Sequence, residues 1–245
     1  MKQLQVALLS LGMACAASLA VTPSAHTVQS AKSKMRYTAA NQFWTTRGFA
    51  VLQVNYSGST GFGRAYRDRL LGRWGLVDID DIVTGARSVA AAGKADGDRL
   101  VIRGGSAGGY AVLRAMTTSD AFAAGTSLFG VADLGGLAEH THKFESRYLD
   151  RLVAPWPEGK DVYDERSPIN HIADLSGELL LLQGRDDLVV PLAQAEDMAA
   201  ALREAGRDVE LQVYDGEGHG FRRKDTIVDA LERELAFYTR VLGLR

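Results

Sequence analysis

Cysteine is almost missing from this chain. Cys15 is the only one in 245 residues, so an internal disulfide and a thiolate metal cluster are both excluded. Charge imbalance is missing too: 28 Lys and Arg stand against 30 Asp and Glu, a formal net charge of -2. No long basic or acidic run occurs, and nothing supports a nucleic-acid or polyanion partner. His140, His142 and His171 show no H-x-x-x-H or H-E-x-x-H spacing on a helix, so they are read as structural and no metal site or cofactor is expected. No apolar run is long enough for a stable membrane span. No internal repeat is visible. What is present is ordinary for a globular fold: 46% apolar and 24% charged residues, in a length that suits one large α/β domain.

Residues 1–38 stand apart. Lys2 precedes a small, mostly apolar stretch over 6–21, broken by Ser10, Gly12 and Ser18. Ser18-Leu19-Ala20 and Pro23-Ser24-Ala25 resemble small-residue cleavage sites. The stretch fits a secretory signal peptide, which would imply a periplasmic or secreted protein. It equally fits a degenerate or buried N-terminal strand or helix of a cytoplasmic domain.

Over 39–245 the pattern alternates. Helices are expected at 39–47, 77–92, 110–116, 191–205 and 226–242. Strands are expected at 49–56, 99–102, 123–129, 178–183 and 209–214. Glu178-Leu179-Leu180-Leu181-Leu182-Gln183 is a near-continuous apolar run, as a strand covered on both faces requires. Residues 131–176 read as an excursion of short helices and loops. Strands alternating with helices predict an α/β fold: a mostly parallel sheet with helices on both faces.

One stretch organises the rest: Arg103-Gly104-Gly105-Ser106-Ala107-Gly108-Gly109-Tyr110. Strand, G-x-S-x-G, helix is the setting of a nucleophile elbow. Ser106 must stand at a sharp turn with its hydroxyl exposed, and the small neighbours let strand and helix approach closely. The N–H of Ala107, at the start of the helix, is the natural donor to a developing oxyanion. Two later strands end in matching residues. The run to Gln183 opens into Gly184-Arg185-Asp186-Asp187-Leu188-Val189-Val190-Pro191. The strand to Tyr214 opens into Asp215-Gly216-Glu217-Gly218-His219-Gly220-Phe221. The order serine, acid, histidine, each just past a strand, is that of α/β-hydrolases. Ser106 is the candidate nucleophile and His219 the candidate base. Taken singly, Asp187 also reads as a helix cap and His219 as a surface loop residue.

These motifs resemble the catalytic domain of prolyl oligopeptidase family serine peptidases, nearest the dipeptidyl-aminopeptidase and acylaminoacyl-peptidase branch. Asn55-Tyr56-Ser57-Gly58-Ser59-Thr60-Gly61-Phe62-Gly63, Trp74-Gly75-Leu76-Val77-Asp78-Ile79-Asp80-Asp81 and His142-Lys143-Phe144-Glu145-Ser146-Arg147-Tyr148 extend the likeness from about Asn41 to the C-terminus. The resemblance implies an α/β-hydrolase fold and hydrolysis of short peptides or blocked aminoacyl substrates, without a cofactor. It carries the acid to Asp187, three residues after the glycine and four before the proline, with Asp186 as the fallback.

The departures set further expectations. Family members carry a β-propeller that restricts entry to the site. None is recognised in these residues, and open access to Ser106 is expected. The family's His-Gly-Gly-Pro-like loop has its nearest counterpart in Ala25-His26-Thr27-Val28-Gln29. That leaves the second oxyanion donor without a match and weakens amide hydrolysis, since one donor is worth about 100- to 1,000-fold in rate. Val189 stands where some relatives hold a substrate carbonyl with Arg or Asn. Glu145 and Arg147 read either as a substrate amine site or as a solvent-facing ion pair. A carboxylesterase, and an impaired remnant or a subunit needing a partner, are the rival readings; a homo-oligomer is compatible with each.

Overall fold

A computed structural model describes residues 6–11, 39–140 and 148–244. In chain order its regular elements are β1 (Val6–Leu11), α1 (Ala39–Thr45), β2 (Phe49–Leu52), α2 (Arg64–Arg67), α3 (Val77–Ala91), β3 (Leu100–Gly105), α4 (Ala107–Thr118), β4 (Ala124–Leu128), α5 (Leu134–His140), α6 (Tyr148–Leu152), α7 (Lys160–Arg166), β5 (Glu178–Gly184), α8 (Leu192–Glu204), β6 (Val209–Tyr214) and α9 (Lys224–Val241). Short 3-10 turns connect several of them.

The six strands form one sheet in the order β2-β1-β3-β4-β5-β6, with every neighbouring pair parallel. Parallel neighbours need crossover connections, which is why helices cover both faces. β5 shows the consequence residue by residue. Leu179 and Leu181 point into one cluster, with Ile79, Ile82, Leu113, Met116 and Met198 from α3, α4 and α8. Leu180 and Leu182 point into the opposite one, with Trp44 of α1 and Ala230, Phe237 and Tyr238 of α9. This is the two-residue period of a strand, and each leucine so buried contributes about 1.5–3 kcal/mol.

The apolar residues 6–11, read from sequence as signal or strand, form β1 in the interior of the sheet. β1 pairs with β2 on one side and β3 on the other, with Leu11 opposite Gly104. The small-residue stretches at 18–25 and the segment Ala25 to Gln29 lie outside the described residues, as do His142, Glu145 and Arg147. One strand is shorter than the 49–56 expected. β2 stops at Leu52, after which other partners take the backbone: Tyr66 Oη donates to Asn55 O at 2.7 Å, and Ser57 N–H donates to Asp81 Oδ2 at 2.6 Å. Helix α4 is longer than 110–116, because it begins directly at Ala107.

Successive connections run outward from β1 to β2 and then back across to β3. The point of reversal lies between β1 and β3, beside the carboxyl end of the strand that carries Ser106. That crevice is where open α/β sheets bind ligands.

Candidate active site

β3 ends at Gly105 and α4 begins at Ala107, so Ser106 makes the whole turn alone. Its φ of 58° and ψ of -121° form a strained conformation that L residues rarely adopt. Ser106 N–H donates to Leu128 O of β4 at 2.9 Å, and Tyr110 N–H donates to Ser106 O at 3.0 Å. A Cβ on Gly104 would sit 2.4 Å from Gly108 O. The strand and helix therefore touch backbone to backbone, as the glycine spacing anticipated. Ala107 opens the helix, so its N–H has no intrahelical acceptor.

The acid loop leaves β5 at Gly184. Asp187 is 4% exposed, and four donors face its two oxygens. Oδ1 accepts the N–H groups of Val189 and Val190, each at 2.9 Å. Oδ2 accepts Gln183 Nε2 at 3.2 Å and lies 2.8 Å from His219 Nδ1. Asp186 is exposed and joins the loop through its backbone, its N–H donating to Glu217 O at 2.9 Å. Geometry thus separates the two neighbouring aspartates: Asp187 faces the imidazole.

The histidine loop leaves β6 at Tyr214. Buried Glu217 folds it, accepting the N–H groups of Arg222 and Arg223 at 2.9 Å each. Burial opposes ionisation of Glu217, but these N–H groups and the Thr226 hydroxyl outweigh it and hold its carboxyl below the ordinary value. His219 is 18% exposed at its side chain. Its Nε2 lies 2.8 Å from Ser106 Oγ. Serine, histidine and aspartate from three separate strand ends thus form one unbroken hydrogen-bonded chain.

Phe129 closes the flank of the imidazole. The two rings meet edge to face with centroids 5.0 Å apart, and Phe221 also packs edge to face on Phe129, at 5.4 Å. Phe129 holds a φ of 41°. Its ring fills the space over Gly105, where a Cβ would lie 2.8 Å from Phe129 Cε2. On the other side, Ala107 packs against an apolar cluster that includes Leu70, Trp74, Tyr110, Val131, Leu134 and Val190. Leu188 and Val189 are exposed beside Asp187, Leu188 at 80%, so Val189 offers a substrate carbonyl no polar side chain.

Asp78 stands in the first turn of α3. It is buried, and Oδ1 accepts Gly75 N–H at 2.8 Å. Burial, only partly offset by the N–H groups of Asp78, Gly75 and Ile79, pushes its carboxyl up from 3.8 to about 7. It steadies the turn at Trp74 and Gly75, which packs on Tyr110 of the elbow helix at a ring separation of 4.5 Å. Phe129, Gln183 and Glu217 were not singled out in the sequence. The visible signals were a glutamine ending a leucine run and a glutamate inside the histidine motif.

Among the described residues, no group of three or more His, Cys, Asp or Glu converges as a metal site. No helix there is long and apolar enough to cross a membrane.

The parallel sheet, the elbow and the order of the loops define an α/β-hydrolase domain. Comparison with known proteins makes this specific: residues 35–245 match the model of the prolyl oligopeptidase family, and the chain belongs to that family of serine peptidases. It is 32% identical over 201 residues to dipeptidyl aminopeptidase BIII of Pseudoxanthomonas mexicana, covering 80% of this chain and 29% of that protein. It is 30% identical over 210 residues to the human acylamino-acid-releasing enzyme, covering 81% of this chain and 27% of that one. Among solved structures, a puromycin-hydrolyzing peptidase of Mycobacterium tuberculosis superposes with a TM-score of 0.89 at 41% identity, covering 99% of this chain and 35% of that chain. The chain therefore spans about a third of the length of these relatives.

Proposed function

We propose that this chain is the catalytic domain of a serine peptidase that cleaves short peptides or N-blocked aminoacyl substrates through an acyl-enzyme. Ser106 is the nucleophile. His219 Nε2 takes the Ser106 Oγ proton as Oγ bonds to the substrate carbonyl carbon, and the carbonyl oxygen becomes an oxyanion. Ala107 N–H at the start of α4 donates to that oxyanion. The imidazolium returns the proton to the leaving amine as the C–N bond breaks. Water then repeats the cycle: its proton goes to His219, its oxygen attacks the ester carbon, and Ser106 is released protonated. Asp187 accepts from Nδ1 throughout, which presents Nε2 as the base and stabilises the imidazolium.

The observation that carries this reading is the pair of 2.8 Å contacts, Nε2 to Ser106 Oγ and Nδ1 to Asp187 Oδ2. The substrate class is supported by relatives named for dipeptidyl aminopeptidase and acylamino-acid-releasing activity. A fluorophosphonate probe tests the site, with labelling expected on the wild type and absent from Ser106→Ala. Matched p-nitrophenyl ester and aminoacyl p-nitroanilide substrates then test the reaction. Turnover of the anilide supports a peptidase, and turnover of the ester alone makes the domain a carboxylesterase. An unlabelled wild type refutes the triad.

A further inference from the structure

Gln183 is the odd residue of β5. Four leucines precede it, and it is fully buried at 0% exposure. Its Nε2 faces three oxygens: Val190 O at 3.0 Å, Asp187 Oδ2 at 3.2 Å and Gly184 O at 3.4 Å. Two are backbone carbonyls, which only accept, and the third already meets His219 Nδ1. The orientation of the amide is therefore settled, since turning it over would set oxygen against oxygen. Oε1 is buried and has no hydrogen-bond partner among the described residues. That is a destabilising feature which an apolar side chain of similar size would avoid. Packing alone does not call for an amide at this position.

We propose that Gln183 is a positioning residue that sets both the place and the basicity of the Asp187–His219 pair. This rests on the triad reading above. Through Val190 O and Asp187 Oδ2, one NH₂ group ties the acid loop to the end of β5. It shares Oδ2 with the imidazole, so it draws on the same lone pairs and on part of the same negative charge. Removing it leaves Oδ2 to His219 alone, which favours the imidazolium.

The charged groups around the pair are engaged elsewhere. On the acid and histidine loops Arg185 is paired with Asp215, Arg223 with Asp225, and Glu217 with the N–H groups of Arg222 and Arg223, while Asp186 is exposed. On β3, Arg103 is held by Glu234. Just past β4, Phe129 faces the imidazole with an uncharged ring.

The test is the pH dependence of kcat/KM for Gln183→Leu and Gln183→Met on an activated ester, with thermal melts alongside. We expect kcat to fall roughly three- to tenfold, the kinetic equivalent of one hydrogen bond, with KM little changed. The acidic limb should move to higher pH in both variants. Lowered melting temperature with an unmoved limb, or a limb moved to lower pH, overturns the proposal. So does failure of both variants to fold, which would make Gln183 a packing residue. Fluorophosphonate labelling of the wild type runs in parallel. Without it the triad reading itself fails; with it and an unmoved limb, only the role of Gln183 fails.

Discussion

Asp187 offers the sharpest separation of chemistry from stability. Asp187→Ala removes the anchor of His219 Nδ1 and also strands two donors, Val189 N–H and Val190 N–H, while the Gln183 amide keeps Val190 O as an acceptor. Each stranded buried donor costs about 1–3 kcal/mol, reduced where water reaches the exposed loop. A total near 3–5 kcal/mol is expected, with kcat down about 10,000-fold for want of the correct tautomer. Asp187→Asn divides the two effects. Its Oδ1 still accepts from Val189 and Val190, so most stability remains. Its NH₂ faces the Gln183 amide and a protonated Nδ1, donor against donors. Only the tautomer with the proton on Nε2 relieves the clash, and that nitrogen then cannot take the Ser106 proton. The Asn variant should therefore lose nearly as much activity as Ala while unfolding close to the wild type. Asp186→Ala, exposed and joined through its backbone, should stay within about 0.5 kcal/mol and about twofold in rate. Urea melts and ester kinetics on the three variants read both quantities. An Asp187→Asn variant within tenfold of wild-type kcat, or an Asp186→Ala variant more damaged than Asp187→Ala, refutes the assignment.

Asp78, raised to about 7 by burial, makes the folded chain hold a proton that the unfolded chain releases from about pH 4 upward. Its contribution is complete below about pH 4 and is lost as pH rises through about 7, approaching 4 kcal/mol. Asp78→Asn should therefore gain melting temperature over the wild type between pH 5 and 8, and a difference that is flat with pH would contradict this. Glu234 is fully buried and holds Arg103 through two contacts of 2.7 and 2.9 Å, joining α9 to the elbow strand. Glu234→Gln should cost about 3–5 kcal/mol in urea melts, and the double change Arg103→Met with Glu234→Leu should recover most of it; a neutral single variant would show the pair to be dispensable. Gly105→Ala puts a methyl group into the Phe129 ring that backs His219. A displacement of that kind is worth up to about 100-fold in kcat, with little change in KM, and an unaffected kcat would show that the imidazole does not depend on Phe129.

Sequence alone determined the features whose physics is local. The elbow was legible because a serine can make that turn only between residues without bulk, and Gly104 against Gly108 is the contact that demanded it. β5 was legible because a strand buried on both faces must be apolar throughout. The order of Ser106, Asp187 and His219 after successive strands carried the fold class, and the family likeness separated Asp187 from Asp186. The tertiary structure decided what depends on elements far apart in the chain. It set β1 between β2 and β3, a pairing that apolar composition cannot distinguish from a leader segment. It ended β2 at Leu52, because Tyr66 and Asp81 take the next backbone groups out of the sheet. It turned Asp78 inward, and it placed Gln183 against Asp187, the proposed acid, and Phe129 against His219, the proposed base. The contact of Phe129 with His219 joins residues about ninety positions apart. A linear pattern records which side chains are present and where strands end, but the faces that meet are chosen only when the sheet closes its core.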